Sequence, residues 1–228
     1  MRLSPRALLA ELVGTALLVT VVVGSGIAAQ RLSPGDLGLQ LLENSTATVF
    51  GLAVLIVLFG PASGAHFNPV VTLVERLLGG AGGRRLPGVE VVAYWAAQIA
   101  GAVLGAILAN AMYDLNPVSI SAHQRFTAAT GLAEIVATAG LVSLVFALAR
   151  TGRSALAAPA VGAYIGSAYW FTSSTSFANP AVTIGRMFSD TFAGIAPASV
   201  PGFLGAQLVG ALLGAGLVIA LYPERTAS

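Results

Sequence analysis

The run SGAHFNPVVTL, Ser63–Leu73, returns more than a hundred residues later as SFANPAVTI, Ser176–Ile184. Each copy joins an Asn-Pro dipeptide to apolar residues of helical character. Asn68 and Asn179 stand where a helix N-cap belongs, and Pro69 and Pro180 where the first helical residue belongs, a position whose missing amide hydrogen costs nothing. A lone Asn-Pro is an ordinary turn signal. Two copies inside an apolar chain predict two short helices, at about 68–78 and 179–189, each beginning in mid-membrane.

The apolar setting follows from composition. The chain has 228 residues, of which only 9% are charged, and its mean hydropathy is +0.86. Hydrophobic runs at 7–29, 42–60, 88–112, 127–149, 155–173 and 201–222 are each of roughly 19–25 residues. At about 1.5 Å per residue that length crosses a hydrocarbon core of about 30 Å. Six spans are therefore predicted, the first retained as a helix because it carries Glu11 and Gly14 and lacks a cleavage site. With no cysteine, no lysine and only His66 and His123, thiol, Schiff-base and clustered-metal chemistry have nothing to work with.

The repeat extends beyond the Asn-Pro runs. Ala10–Thr15, AELVGT, matches Ala133–Thr138, AEIVAT, and Ala97–Ala106, AQIAGAVLGA, matches Ala206–Ala215, AQLVGALLGA. Glu11, Asn68 and Gln98 thus correspond to Glu134, Asn179 and Gln207. Each half holds three spans with a broken helix between its second and third. An odd number of spans per half inserts the copies upside down relative to one another. The reading is a single membrane domain over 1–228, with repeat 1 at about 7–112, a connecting loop at about 113–126 and repeat 2 at about 127–222.

Arginines set the expected orientation. Arg2, Arg6, Arg76, Arg84, Arg85, Arg150, Arg153 and Arg225 fall on one side, against Arg31, Arg125 and Arg186 on the other. Positive residues are retained in the cytoplasm, so both termini are expected there.

Inversion brings the two Asn-Pro sites together from opposite faces, where irregular backbone is tolerated only if it lines a wet cavity. Two Asn amides there donate hydrogen bonds to a neutral oxygen, while two helix N-termini oppose a cation. The predicted function is passage of small neutral polar solutes. Glu11 and Glu134 cost about 2.5–3.5 kcal/mol each inside a membrane if unpaired. Their equivalent placement favours bracing of the two loops, with Gln98 and Gln207 helping, over a proton relay. Gly101/Gly105 and Gly210/Gly214 permit close helix crossing. Tyr94–Trp95 and Tyr169–Trp170 are expected as interfacial anchors, and His66 as a hydrogen-bonded residue of the inner loop rather than a pH gate.

With these paired motifs the chain resembles the major intrinsic protein family, the aquaporins and aquaglyceroporins, over essentially its whole length. The resemblance implies an all-α membrane protein with six transmembrane helices and two half-helices in a right-handed bundle, assembled as a homotetramer with one pore per subunit. Two residues depart from the family pattern. Val70 stands where the first motif usually has Ala, which shifts the half-helix or narrows the midplane. Val182 stands where an arginine usually follows the second motif, which leaves the outer filter wider and more apolar.

The run STSFANPAVT, Ser174–Thr183, is similar to a bacterial branch of the family associated with arsenic handling. By that resemblance the candidate permeants are glycerol, urea and neutral or methylated arsenicals, with water also a candidate. Spacing from the motifs assigns Phe50, Ser167, Ser176 and Val182 to the filter, with Phe177 and Arg186 as the alternative set. For Arg186, one turn past Val182, snorkelling outward or pairing with Asp190 is the simpler expectation. A water-selective pore with Arg186 supplying part of the missing charge is the second reading. An ion-coupled carrier is a third, disfavoured because the intramembrane charge is limited to paired glutamates. No cofactor is implied, Gly79–Gly83 lacking the spacing of a phosphate loop, and an enzyme is not expected.

Overall fold

The computed structural model describes residues 4–80 and 85–223; Arg2, Arg84 and Arg225 of the orientation argument, and residues 81–83 of the glycine connector, lie outside them. Among the described residues all regular structure is helical. Helix α1 (Pro5–Leu32) starts on Ser4, whose hydroxyl accepts from Ala7 N–H at 3.3 Å, with Pro5 in the first turn where its missing donor is harmless. Helix α2 (Leu37–Ser63) starts on the Asp36 carboxylate and stops at Gly64, whose φ of 92° suits glycine. Helix α3 (Pro69–Leu78) follows, then α4 (Gly88–Met112).

The second half repeats this order. Helix α5 (Ala128–Arg150) opens on a capping box between Thr127 and Thr130. Helix α6 (Ala157–Phe171), α7 (Pro180–Gly185) and α8 (Val200–Leu221) complete the chain.

Two elements differ from the sequence expectation. Among the described residues five helices are long and apolar enough to cross a bilayer, and α6, the expected fifth span, is not one of them. Its 15 residues rise about 22 Å, preceded by a short 3-10 turn at Ser154–Leu156. The second half-helix keeps α geometry for only 6 residues before tightening into a 3-10 turn at Arg186–Phe188. Its dipole is correspondingly smaller than that of the 10-residue α3.

Helix α1 packs most extensively on α4, and α5 on α8. Glycine makes both crossings possible. A Cβ built at Gly101 would lie 2.2 Å from the Leu12 carbonyl oxygen, and one at Gly105 2.2 Å from that of Ala16. In the other half, Gly210 and Gly214 would place theirs 2.5 Å from the Ile135 and Ala139 carbonyl oxygens. Backbone against backbone, at equivalent positions, leaves no room for any side chain.

The outward surface is apolar. Val54 and Leu58 of α2, Leu104 of α4, and Leu212 and Leu213 of α8 are exposed. The polar side chains run the other way: Glu11, Gln98, Glu134 and Gln207 are fully buried. Such inside-out polarity is what a lipid solvent selects.

Candidate functional site

Between Ser63 and Asn68, and again between Thr172 and Asn179, the chain is neither helix nor strand. Ala65 and Phe67 hold φ of 50° and 49°, and Ser176 and Ala178 hold 50° and 47°. Left-handed backbone at non-glycine residues costs roughly 1–3 kcal/mol apiece and persists only where the surroundings fix it. The buried glutamates fix it.

Glu11 Oε1 accepts from Ser63 Oγ at 2.6 Å and His66 N at 3.0 Å; its Oε2 accepts from Phe67 N and Gln98 Nε2, both at 2.8 Å. Glu134 Oε1 accepts from Ser174 Oγ at 2.6 Å and Phe177 N at 2.8 Å, and its Oε2 from Ala178 N at 2.8 Å and Gln207 Nε2 at 2.7 Å. Each carboxylate thus takes four donors, two of them backbone. Each glutamine passes the chain of bonds on to the half-helix, Gln98 to Thr72 Oγ1 and Gln207 to Thr183 Oγ1, both at 2.9 Å.

In a planar trans peptide the carbonyl of one residue points opposite to the N–H of the next. With His66 and Phe67 N–H turned to Glu11, the Ala65 and His66 carbonyls point away from it. By the same geometry the Ser176 and Phe177 carbonyls point away from Glu134. All four residues border one cavity of about 620 Å³. The loops therefore show donors to the glutamates and acceptors to the cavity.

The two loops meet at the asparagines. Asn68 Oδ1 caps α3 by accepting from Val70 N at 3.1 Å, and its Nδ2 donates to the Ala178 carbonyl at 2.8 Å. Asn179 Oδ1 caps α7 by accepting from Ala181 N and Val182 N at 3.0 and 3.3 Å, and its Nδ2 donates to the Phe67 carbonyl at 2.7 Å. The lock is reciprocal. Each primary amide keeps its second N–H, and both asparagines border the cavity.

The cavity is elongated. It is bordered from Thr48 to Gly60 on α2 and from Ala157 to Tyr169 on α6, a rise of about 18 Å along each helix. Gly80, Glu75 and Ser154 lie at the α3 mouth, and Arg186, Thr48 and Tyr169 at the α7 mouth, with Leu18, Val22, Leu52 and Val161 as apolar wall between.

Several sequence assignments change here. Phe50 is 67% exposed and does not border the cavity; Thr48 and Leu52 do. Two residues turn an α-helix by about 200°, so an offset of two carries a side chain from the passage to the outside. The same rotation removes Ser167, which is exposed and bonded to the Tyr164 carbonyl at 2.9 Å, while Ile165 and Tyr169 face in. Tyr169 is no surface anchor: it is buried, with its hydroxyl 3.3 Å from Thr48 Oγ1. Tyr94 and Trp95 instead brace the first loop, donating to the Ser63 and Pro69 carbonyls at 3.0 and 2.9 Å. Trp170 alone of that set is exposed, with Nε1 on Ser45 Oγ at 3.2 Å.

Val70 packs away from the passage, in an apolar cluster with Val74, Val142, Phe146 and Ala211. It fills space behind the cap and does not narrow the midplane. Ala181 is likewise fully buried in the core. Val182, Ser176, Phe177 and Arg186 all border the cavity. Ser176 Oγ is buried without a hydrogen-bond partner among the described residues.

Arg186 neither snorkels nor pairs with Asp190. It is only 3% exposed; its guanidinium carbon sits 3.5 Å from the Phe177 ring centroid, and its Nε donates to the Ala193 carbonyl. Asp190 is occupied elsewhere, accepting from Ala122 N at 2.9 Å beside His123.

At the other mouth His66 lies between Thr72 Oγ1, 3.0 Å from Nδ1, and Glu75 Oε2, 2.5 Å from Nε2. Thr72 Oγ1 already donates to the Asn68 carbonyl at 3.0 Å. Nδ1 therefore faces a hydroxyl whose own proton is committed, and Nε2 faces the Glu75 carboxylate.

The model of the family described as "Major intrinsic protein" matches residues 2–173, a stretch that ends before the second Asn-Pro motif. Among curated relatives, the chain is similar to "Aquaglyceroporin AqpS" of Rhizobium meliloti, with 49% identity over 91% of this chain and 86% of the relative. It is also similar to the "Glycerol uptake facilitator protein" of Pseudomonas aeruginosa, at 32% identity over 91% and 85% of the two chains, and to "Aquaporin Z" of Brucella melitensis, at 31% over 90% and 93%. Among solved structures, the aquaglyceroporin from Plasmodium falciparum superposes with a TM-score of 0.69 at 20% identity, covering 95% of this chain and 96% of that one.

Proposed function

Because the chain belongs to the major intrinsic protein family, we propose that it conducts glycerol, urea and neutral or methylated arsenicals passively, with water as a further permeant. The protein is a multi-pass membrane channel of aquaglyceroporin type for small solutes, and not an enzyme.

One observation carries the reading. Two asparagines from opposite halves lock onto each other's loop beside a cavity that follows two helices for about 18 Å. The cavity offers carbonyl oxygens and amide hydrogens in the middle, with apolar wall between there and its polar mouths. It offers no chain of carboxylates, since Glu11 and Glu134 have both oxygens engaged by loop donors. A neutral hydroxylated solute replaces its water with these groups; a bare cation meets two helix N-termini and does not.

Val182 in place of a filter arginine supports the larger members of the solute list, because it leaves an apolar side chain on the cavity wall. We place the α3 mouth and both termini on the cytoplasmic side of the cell membrane, from the arginine distribution, and infer a homotetramer from family membership. Stopped-flow measurements on proteoliposomes of the purified chain test the proposal. Flux of glycerol, urea and uncharged arsenic(III) species well above that of empty vesicles is the expected result. Background rates for every solute overturn it.

A further inference from the structure

A shift of 111 positions carries Asn68 onto Asn179 and Val71 onto Val182, and also His66 onto Phe177 and Glu75 onto Arg186. In each half the ring two residues before the asparagine touches the charged side chain seven residues after it. His66 meets Glu75 at 2.5 Å, and Phe177 meets Arg186 at 3.5 Å from the ring centroid. All four residues border the cavity. The position seven past the asparagine therefore faces the passage in both halves, with a carboxylate at one mouth and a guanidinium at the other.

The α7 mouth is built to hold that guanidinium. Three successive carbonyls, of Phe192, Ala193 and Gly194, accept from arginine N–H groups in turn: Arg125 Nη2 at 2.6 Å, Arg186 Nε, and Arg125 Nε at 2.5 Å. This strap is tied down at Phe192, whose N–H donates to Gln30 Oε1 at 2.9 Å. Phe177 lies between the two cations, 3.5 Å from Arg186 and 5.7 Å from Arg125, and a desolvated guanidinium over an aromatic face is stabilised by the ring quadrupole. Burial also pulls the Arg125 guanidinium below the ordinary arginine value. Among the described residues Arg186 forms no ion pair, and its two Nη groups carry no hydrogen bond, so they remain as donors beside the passage.

We propose that Arg186 is the charged wall of the filter, set one helical turn beyond Val182, and that Arg125 and the strap position it. The proposal rests on the channel reading above. The Arg186 backbone stands about 6 Å beyond that of Val182 along the half-helix, while its guanidinium reaches the Phe177 ring, beside Val182 on the same cavity wall. The guanidinium then acts on a solute at the cavity wall that Phe177 and Val182 also line, opposing cations and narrowing the way for the larger solute.

The test uses the full chain in proteoliposomes, with the glycerol-to-water permeability ratio and the sodium and proton conductance as readouts. Arg186→Gln is expected to raise the ratio about three- to tenfold, the scale of one ordinary net hydrogen bond, and to admit cations that the wild type excludes. Arg186→Lys keeps the exclusion. Val182→Arg added to Arg186→Gln restores it. Arg125→Gln leaves Arg186 in place but loosens the strap, giving the same direction at about half the logarithmic size. Should Arg186→Gln fail to fold, Phe177→Leu removes the ring while keeping the charge, and a shift of about two- to threefold in the ratio is expected. Folded variants with the wild-type ratio and no cation conductance overturn the proposal. A wild type that conducts no solute overturns the channel reading itself, a result distinguishable from the first.

Discussion

Glu134→Gln is the most informative single change at the loops, because the carboxylate's four bonds can be counted. Gln keeps one acceptor oxygen and turns the other into a donor. If the NH2 replaces Oε2, it faces Ala178 N–H and Gln207 Nε2. Gln207 can flip, since its Oε1 has no partner, but the Ala178 N–H is then left orphaned. If the NH2 replaces Oε1, the Ser174 hydroxyl can turn to accept, but the Phe177 N–H is left orphaned. Either way one buried backbone donor loses its acceptor, at about 1–3 kcal/mol. The surviving bonds drop from charge-assisted to neutral strength, roughly halving each. A total of about 2–4 kcal/mol corresponds, in a chain of this size, to a melting temperature lower by about 5–15 °C. Differential scanning fluorimetry in detergent reads that shift. Glycerol flux per folded molecule should fall with it, because Phe177 and Ala178 shape the passage. A variant that melts within about 2 °C of the parent would refute the bracing account and return Glu134 to the proton-relay reading.

Three further outcomes follow from the geometry. Val182→Arg narrows the passage, so glycerol permeability should fall about tenfold or more and water much less; equal reduction of both would remove Val182 from the constriction. Asn179→Asp can still cap α7 but cannot donate to the Phe67 carbonyl, and its charge opposes the helix dipole's exclusion of cations, so planar-bilayer recordings should show a cation current absent from the parent. Gly105→Val must push α1 and α4 apart, since its Cβ would stand 2.2 Å from the Ala16 carbonyl oxygen; overpacking of that kind costs about 1–3 kcal/mol or more, and a lowered yield of folded protein on size exclusion is expected, whereas Gly216→Val, with open space around its Cβ, should behave as the parent.

The paired motifs made the architecture legible because a repeat records symmetry directly: Glu11 with Glu134, Gln98 with Gln207 and Asn68 with Asn179 are matched by the repeated runs around them, in the same order in each half. The filter was less legible. Placing Phe50 and Ser167 required the rotation of α2 and α6 about their own axes, and an uncertainty of two residues there reverses inside and outside. Thr48 and Tyr169 were the available signal, polar atoms on apolar spans, each in need of a partner. Arg186 was misjudged for a different reason. Its placement depends on the Ala193 carbonyl of a strap whose neighbouring carbonyls hold Arg125, and on the Phe177 ring, contacts that no local pattern announces. The short α6 was hidden because hydropathy continues through the 3-10 turn at its start.

The reciprocal asparagine bonds bear on how the molecule is made. During synthesis the amino-terminal three spans enter the bilayer first, and Asn68 then has no Ala178 oxygen to reach. Its loop must wait, held by Glu11 and the braces of its own half, until the carboxyl-terminal spans arrive and Asn179 completes the exchange. Maturation is therefore a single late event shared by both halves, and two fragments divided in the 113–126 connector should regain transport only when produced together in one cell.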